Sequence, residues 1–221
     1  MKKEVLIGIF LVWLAISAIS LFFGSVNLSP FALWQSEIFW QIRLPRVILA
    51  ALVGILLSVS GVILQGVLRN PLADPYLLGI SAGAAVGAAI SLAWGMHFVF
   101  GGISSLPANS FFLSLVAVFV VYKLAQVSGR TSPETLVLSG VALSSFCSAI
   151  LSLIIIMIGN LQAIYFWLLG SFSSANWGGV LTLLPYVIVG LTFAYFFSKE
   201  LNALLLGEEV ATTLGIEVEK T

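Results

Sequence analysis

Arg43-Leu-Pro-Arg46 places two cations three residues apart in a chain that is otherwise oily. A guanidinium pair of this kind suits a carboxylate-bearing partner, because each fork can take a carboxylate through two parallel hydrogen bonds. Other groups able to do chemistry are few. One cysteine (Cys147) and one histidine (His97) rule out a disulfide framework or a Cys/His metal cluster. Cys147 reads as a small buried apolar residue and His97 as a solvated loop residue. Gly129-Arg-Thr131 lacks the preceding glycine and the lysine of a phosphate-cradling loop, so the chain binds no ATP of its own. Hydroxyls are the remaining resource. Ser144, Ser148 and Ser152 continue from Gly140 at four-residue spacing, with Ser139 and Ser145 nearby, and Gln65 stands alone in another apolar stretch.

The elements that must position these residues are membrane helices. Hydrophobic residues make up 60% of 221 and charged residues 8%, against about 25% charged in a soluble domain. Windows of about 20 apolar residues mark bilayer spans, and six occur, at 5–23, 47–68, 76–94, 111–127, 136–158 and 180–197. None holds Asp or Glu, and Lys123 is the only basic residue inside one. An intramembrane enzyme or a proton-coupled carrier needs ionisable groups at that depth, so both readings are weak. Net charge is zero, which gives no footprint for nucleic acid. The first window follows Lys2 and Lys3, but it is too long for a secretory h-region and shows no cleavage pattern, so it reads as a retained helix. The Asn27-Leu-Ser29 sequon precedes Pro30 and carries no weight.

The bias of Lys and Arg toward the cytoplasm orients the windows. With the N-terminus inside, Lys2, Lys3, Arg69, Lys123, Arg130, Lys199 and Lys220 all fall inside. Arg43 and Arg46 are then the exceptions, and they lie outside. The sequence divides into a transmembrane part, 1–198, and a cytoplasmic segment, 199–221.

Loops and helix faces refine this picture. The two prolines of Asn70-Pro-Leu-Ala-Asp-Pro75 stop the second helix. In Ser128-Gly-Arg-Thr-Ser-Pro-Glu134, Ser132 can cap the fifth helix, Pro133 fits its first turn and Glu134 complements its dipole. Gly79, Gly83 and Gly87 recur every four residues among alanines and serines, the spacing that lets helix backbones approach in lipid. The serine face of the fifth helix has two readings, interhelical hydrogen bonding or a wet path, and Gln65 shares that ambiguity. Residues 161–171 are too short to cross and carry Tyr165 and Trp167, so they form a short outer helix at the interface. Beyond Lys199, residues 201–206 and 208–214 read as two short helices broken by Gly207 and ended by Gly215. Glu208, Glu209, Glu217 and Glu219 sit there among Val210, Leu214 and Ile216. The segment is either a solvated tail or a surface gripped from inside.

Five ordered motifs carry a resemblance: Arg43-Leu-Pro-Arg46, Ser60-Gly-Val-Ile-Leu-Gln65, Asn70-Pro-Leu-Ala-Asp-Pro75, Leu78-Gly-Ile-Ser-Ala-Gly83 and Leu206-Gly-Glu-Glu-Val-Ala211 with Leu214-Gly215. Together they resemble the permease subunit of ABC importers for iron-siderophores, haem and cobalamin, the FecCD type, over essentially the whole chain. The resemblance implies an all-α membrane protein, a polytopic transmembrane helix bundle with six of the family's usual ten spans, a short outer helix and cytoplasmic coupling helices. It implies a homodimer with a second permease copy and a path between the two. ABC ATPase subunits bind inside, and a periplasmic or lipid-anchored binding protein docks outside. The chain itself takes no cofactor, and the partner ATPase binds ATP. Arg43 and Arg46 match the outer arginines that meet the binding protein. The match tips Ser144 and Ser148, with Gln65, toward the translocation path. It assigns Thr131, Ser132, Thr135 and Leu136 to an inner gate. Leu206, Gly207, Glu208, Glu209, Ala211 and Gly215 correspond to the coupling segment that seats in the ATPase. The expected location is the inner (plasma) membrane, multi-pass. Because four of the family's spans are absent, a truncated permease or an inactive remnant of one is the alternative reading, and an ion-coupled carrier is a weaker one.

Overall fold

The computed structural model describes residues 3–24, 33–96, 99–100, 103–127, 129–158 and 161–216. Lys2, the Asn27–Ser29 sequon, His97, Ser128, Glu217, Glu219 and Lys220 lie outside these. The architecture is all-α and polytopic. Its helices are α1 (Lys3–Phe22), α2 (Leu44–Val67), α3 (Ile80–Ala93), α4 (Ser105–Ala125), α5 (Pro133–Ile158), α6 (Leu161–Leu169), α7 (Trp177–Phe196), α8 (Ser198–Leu204) and α9 (Glu208–Thr213). Two antiparallel two-residue hairpins interrupt the helices: β1 (Val99–Phe100) with β2 (Ile103–Ser104), and β3 (Gln126–Val127) with β4 (Arg130–Thr131).

Among the described residues, five helical segments are long and apolar enough to cross a bilayer: Lys3–Phe22, Phe39–Val67, Ser105–Ala125, Pro133–Ile158 and Trp177–Phe196. The third expected span differs. Residues 76–94 do not form one helix, because Pro75–Leu78 is a 3-10 turn and Gly79 takes a left-handed conformation at φ 71°. The Asp74 carboxylate accepts from the Tyr76 N–H at 2.8 Å and fixes that turn. The remaining α3 has 14 residues, about 21 Å at 1.5 Å per residue, short of a hydrocarbon core of about 30 Å. Among the described residues, α3 is therefore a shorter apolar helix beside the five longer segments.

The chain separates into two compact units. One comprises Met1–Ile55 and Phe172–Val187, the other Leu56–Ser171 and Ile188–Thr221, so α2 and α7 each contribute to both.

In the first unit, α1 buries none of its residues. Its C-terminal carbonyls, those of Leu21 and Phe22, accept from Arg43 Nη1 at 2.7 and 2.8 Å. Arg43 ends a π-helical turn, Phe39–Arg43, that runs straight into α2. Helical structure therefore begins before the expected start at residue 47. Pro45 has no N–H and its ring crowds the carbonyl four residues back. A wider turn ahead of it relieves that conflict. Trp34, Phe39 and Trp40 pack ring against ring in this arm. Trp177 Nε1 donates to the Trp40 carbonyl at 2.9 Å.

In the second unit, α3 packs on α4 through glycine. A Cβ on Gly83 would stand 2.7 Å from the Leu113 carbonyl oxygen, and one on Gly87 would stand 2.5 Å from that of Asn109. Seven residues of α3 are buried: Gly83, Ala85, Val86, Gly87, Ala88, Ala89 and Ser91. The core joins Val86 and Ala89 of α3 to Cys147 and Ile154 of α5 and Ile164 of α6. On α5, Gly140 lies against the backbone of Leu77 and Leu78. Glycine at these positions is the condition for backbone contact. Gly79 does not belong to the stripe, since it precedes α3 as its cap.

Candidate functional site

Arg43 and Arg46, one turn apart in sequence, meet different fates. Arg43 is 7% exposed and spends its guanidinium on the end of α1. Gly24 makes room for it, since a Cβ there would come within 2.8 Å of Nη2. Arg46 is exposed, and its Nη2 donates to the Ser173 carbonyl at 3.1 Å. The two arginines read together from sequence thus differ in setting: Arg43 is buried on the terminal carbonyls of α1, whose helix cannot satisfy them, and Arg46 is exposed.

Ser144 and Ser148 of α5 do come together, in a groove of about 560 Å³ between α5 and the 74–77 turn. Asp74, Tyr76 and Ser145 line the same groove. The serines bond within their own helix. Ser148 Oγ donates to the Ser144 carbonyl at 2.8 Å, Ser152 Oγ to that of Ser148 at 2.9 Å, and Ser145 Oγ to that of Val141 at 3.0 Å. Such bonds to the carbonyl four residues back let hydroxyls persist in an apolar setting without a cross-helix partner. Among the described residues, the bonds shown for Ser145, Ser148 and Ser152 are to carbonyls of α5 itself. Gln65 is half-buried on α2 and lines neither this groove nor the cavity described next.

The four gate residues divide into two pairs. Ser132 and Thr135 cap α5 reciprocally: Thr135 N donates to Ser132 Oγ at 3.2 Å and Ser132 N to Thr135 Oγ1 at 3.1 Å. The hydroxyl of Thr135 does the work of the Glu or Gln in a capping box. Thr131 and Leu136 instead line a cavity of about 400 Å³ whose walls include Tyr122 of α4, Phe193 of α7 and Leu201 of α8, with Arg69 also lining it. Arg69 takes a left-handed conformation at φ 48°, unusual for a residue with a side chain. It does so to end α2: its N–H donates to the Gly66 carbonyl, and the Asn70 N–H to that of Gln65.

The segment after α7 follows the sequence reading closely. Gly207, at φ 114°, separates α8 from α9, and Gly215, at φ 82°, ends α9. Gly215 N donates to the Thr212 carbonyl and Ile216 N to that of Ala211, both at 3.0 Å. This is a Schellman ending, which a left-handed glycine permits. Ala211 is fully buried. Leu206, Val210 and Leu214 are exposed at 69%, 41% and 63%. Helix α9 begins at Glu208, directly after Gly207.

Sequence reasoning gave no role to Asp74 or Tyr122. The signal for Asp74 was available: it is an acid in a loop otherwise made of proline, leucine, alanine and asparagine. The cavity residues Tyr122 and Phe193 carried none, since aromatic residues in a span ordinarily face lipid or core.

The profile described as the FecCD transport family matches residues 10–221. The uncharacterized ABC transporter permease protein YvrB of Bacillus subtilis is 43% identical over 187 residues, covering 84% of this chain and 53% of the relative. The cobalamin import system permease protein of Halobacterium salinarum is 40% identical over 181 residues, covering 81% of this chain and 48% of its own length. The hemin transport system permease protein of Yersinia pestis is 35% identical over 236 residues, covering 99% and 69%. A solved structure titled as an inward-facing conformation of a metal-chelate type ABC transporter superposes with a TM-score of 0.83 at 30% identity, covering all of this chain and 69% of its counterpart. The chain spans about half the length of the first two of these relatives.

Proposed function

The chain belongs to the FecCD transport family, and on that premise we propose that it is a membrane permease of an ABC importer for an iron-siderophore, haem or cobalamin. Two permease copies form the path, and separate ATPase subunits bind and hydrolyse ATP on the cytoplasmic side. A binding protein delivers the substrate from the opposite side. The N-terminus is cytoplasmic, as the distribution of Lys and Arg favours. Arg46 carries the docking charge for the binding protein. Ser144 and Ser148 line the path, with Gln65 further along it, and Thr131 and Leu136 belong to the inner gate that Ser132 and Thr135 hold in shape.

One observation carries this reading. The α8–α9 segment is folded and capped, yet it leaves Leu206, Val210 and Leu214 exposed next to Glu208 and Glu209. A helix pair with an ordered backbone and an unpartnered apolar face supports a protein partner there, and an ATPase groove is the partner the family implies. The Gly207 and Gly215 turns set the angle at which that face is presented.

The test is co-purification of the ATPase from membranes. Val210→Glu and Gly215→Val should each cut recovered ATPase by about tenfold or more, as expected for an anchor residue at the centre of an interface, with membrane insertion unchanged. Recovery of the ATPase at the wild-type level with both variants would show that this face is a solvated tail.

A further inference from the structure

The groove beside α5 has a chemical polarity that narrows what can pass it. Asp74 brings a full negative charge. Its Oδ1 is occupied by the Tyr76 N–H at 2.8 Å, and among the described residues this exposed carboxylate makes no other bond. The hydroxyl protons of Ser145 and Ser148 are committed to the Val141 and Ser144 carbonyls, so both oxygens offer lone pairs rather than protons to the groove. Ser144 and Tyr76 are the two hydroxyls in the wall able to donate. Among the described residues, no Lys, Arg or His lines it. The wall is therefore rich in acceptors and electronegative, and nothing in it compensates a second negative charge.

We infer that this groove is a selectivity surface for chelates that present N–H or O–H donors, and that Asp74 disfavours chelates bearing free carboxylates. The inference rests on the reading of the α5 face as part of the path and deepens it by naming the substrate class. A neutral amide-bearing hydroxamate complex finds acceptors at Asp74, Ser145 and Ser148. A ferric citrate complex brings acceptors and negative charge to a wall that already has both. Charges a few ångströms apart in a wet groove still interact on the order of thermal energy or above, which is enough to shift relative affinity severalfold.

The variant Asp74→Asn isolates the charge, because an asparagine carbonyl oxygen can keep the bond to the Tyr76 N–H and hold the turn. Ser148→Ala removes one acceptor and suits a helix interior. The full chain in nanodiscs is titrated with a neutral ferric trihydroxamate carrying peptide amides and, separately, with ferric citrate. Asp74→Asn should tighten ferric citrate by about three- to tenfold while moving the trihydroxamate less than about twofold. Ser148→Ala should weaken the trihydroxamate and leave citrate unchanged. An unchanged ratio between the two complexes in Asp74→Asn overturns the inference, as does the absence of binding by either complex to wild type and variant. Failure of the ATPase to co-purify would instead strike the permease reading, and it leaves this binding ratio independently readable.

Discussion

α1 and α3 are both apolar helices, and they are held in opposite ways. α3 buries seven of its 14 residues and touches α4 backbone to backbone through Gly83 and Gly87. α1 has 20 residues and buries none. Its described attachment is polar and terminal, Arg43 Nη1 on the carbonyls of Leu21 and Phe22. Lipid is as apolar as leucine, so hydrophobicity by itself brings no two helices together there. α3 shows the packing solution, small residues and close approach. α1 shows the other solution, one ionised donor placed on carbonyls that its helix cannot satisfy.

The contrast breaks most easily at α3. Gly87→Leu would put a side chain where a single Cβ already stands 2.5 Å from the Asn109 oxygen. We expect the folded protein recovered in detergent to collapse, with any survivor melting about 10 °C lower or more. Size-exclusion chromatography and a thermal ramp would show it, and a stable, monodisperse Gly87→Leu protein would mean that α3 and α4 are not in backbone contact. A smaller effect belongs to Arg43→Ala, which removes the donor to the Leu21 and Phe22 carbonyls at one stroke. The expected loss is about 1–3 kcal/mol, visible as faster protease cleavage and amide exchange at the end of α1 while α3 stays protected. Arg43→Lys should recover part of it, since an ammonium can reach one carbonyl but lacks the fork.

Arg46→Glu should move stability by about 0.5 kcal/mol at most, as for exposed positions generally. Its effect belongs in the association rate of the binding protein, larger at low salt where screening is weak. An unchanged rate at low salt would remove the docking role from Arg46. The smallest expected effect is Leu11→Ala in α1. That side chain is 59% exposed and faces the same apolar surroundings with or without its neighbours, so melting in a bilayer should not shift measurably.

Much of this organisation could be read from residue types, and what escaped did so for physical reasons. The α8–Gly207–α9–Gly215 segment was legible because a left-handed turn leaves few residues but glycine, and the structure places positive φ at both glycines. The cap of α5 by Ser132 was legible for the same local reason. Arg43 and Arg46 were not separable: two identical side chains one turn apart take different settings, one buried and one exposed, only when the terminal carbonyls of α1 meet Arg43. The break at Gly79 was hidden inside a glycine stripe of helical spacing, where only the Asp74–Tyr76 turn decides that the helix begins later. The early start of helical structure at Phe39 was masked because charge ended the apolar window, although charge does not end a helix.

Transport itself is the direct test of the permease assignment. Cells lacking this gene would be restored with the chain together with its ATPase and binding protein, then offered labelled ferric hydroxamate, ferric citrate, haem and cobalamin in turn. The account predicts that at least one of these accumulates only when all three components are present, and that Gly215→Val abolishes the accumulation while the protein stays in the membrane. Accumulation that is the same with and without this chain would contradict it.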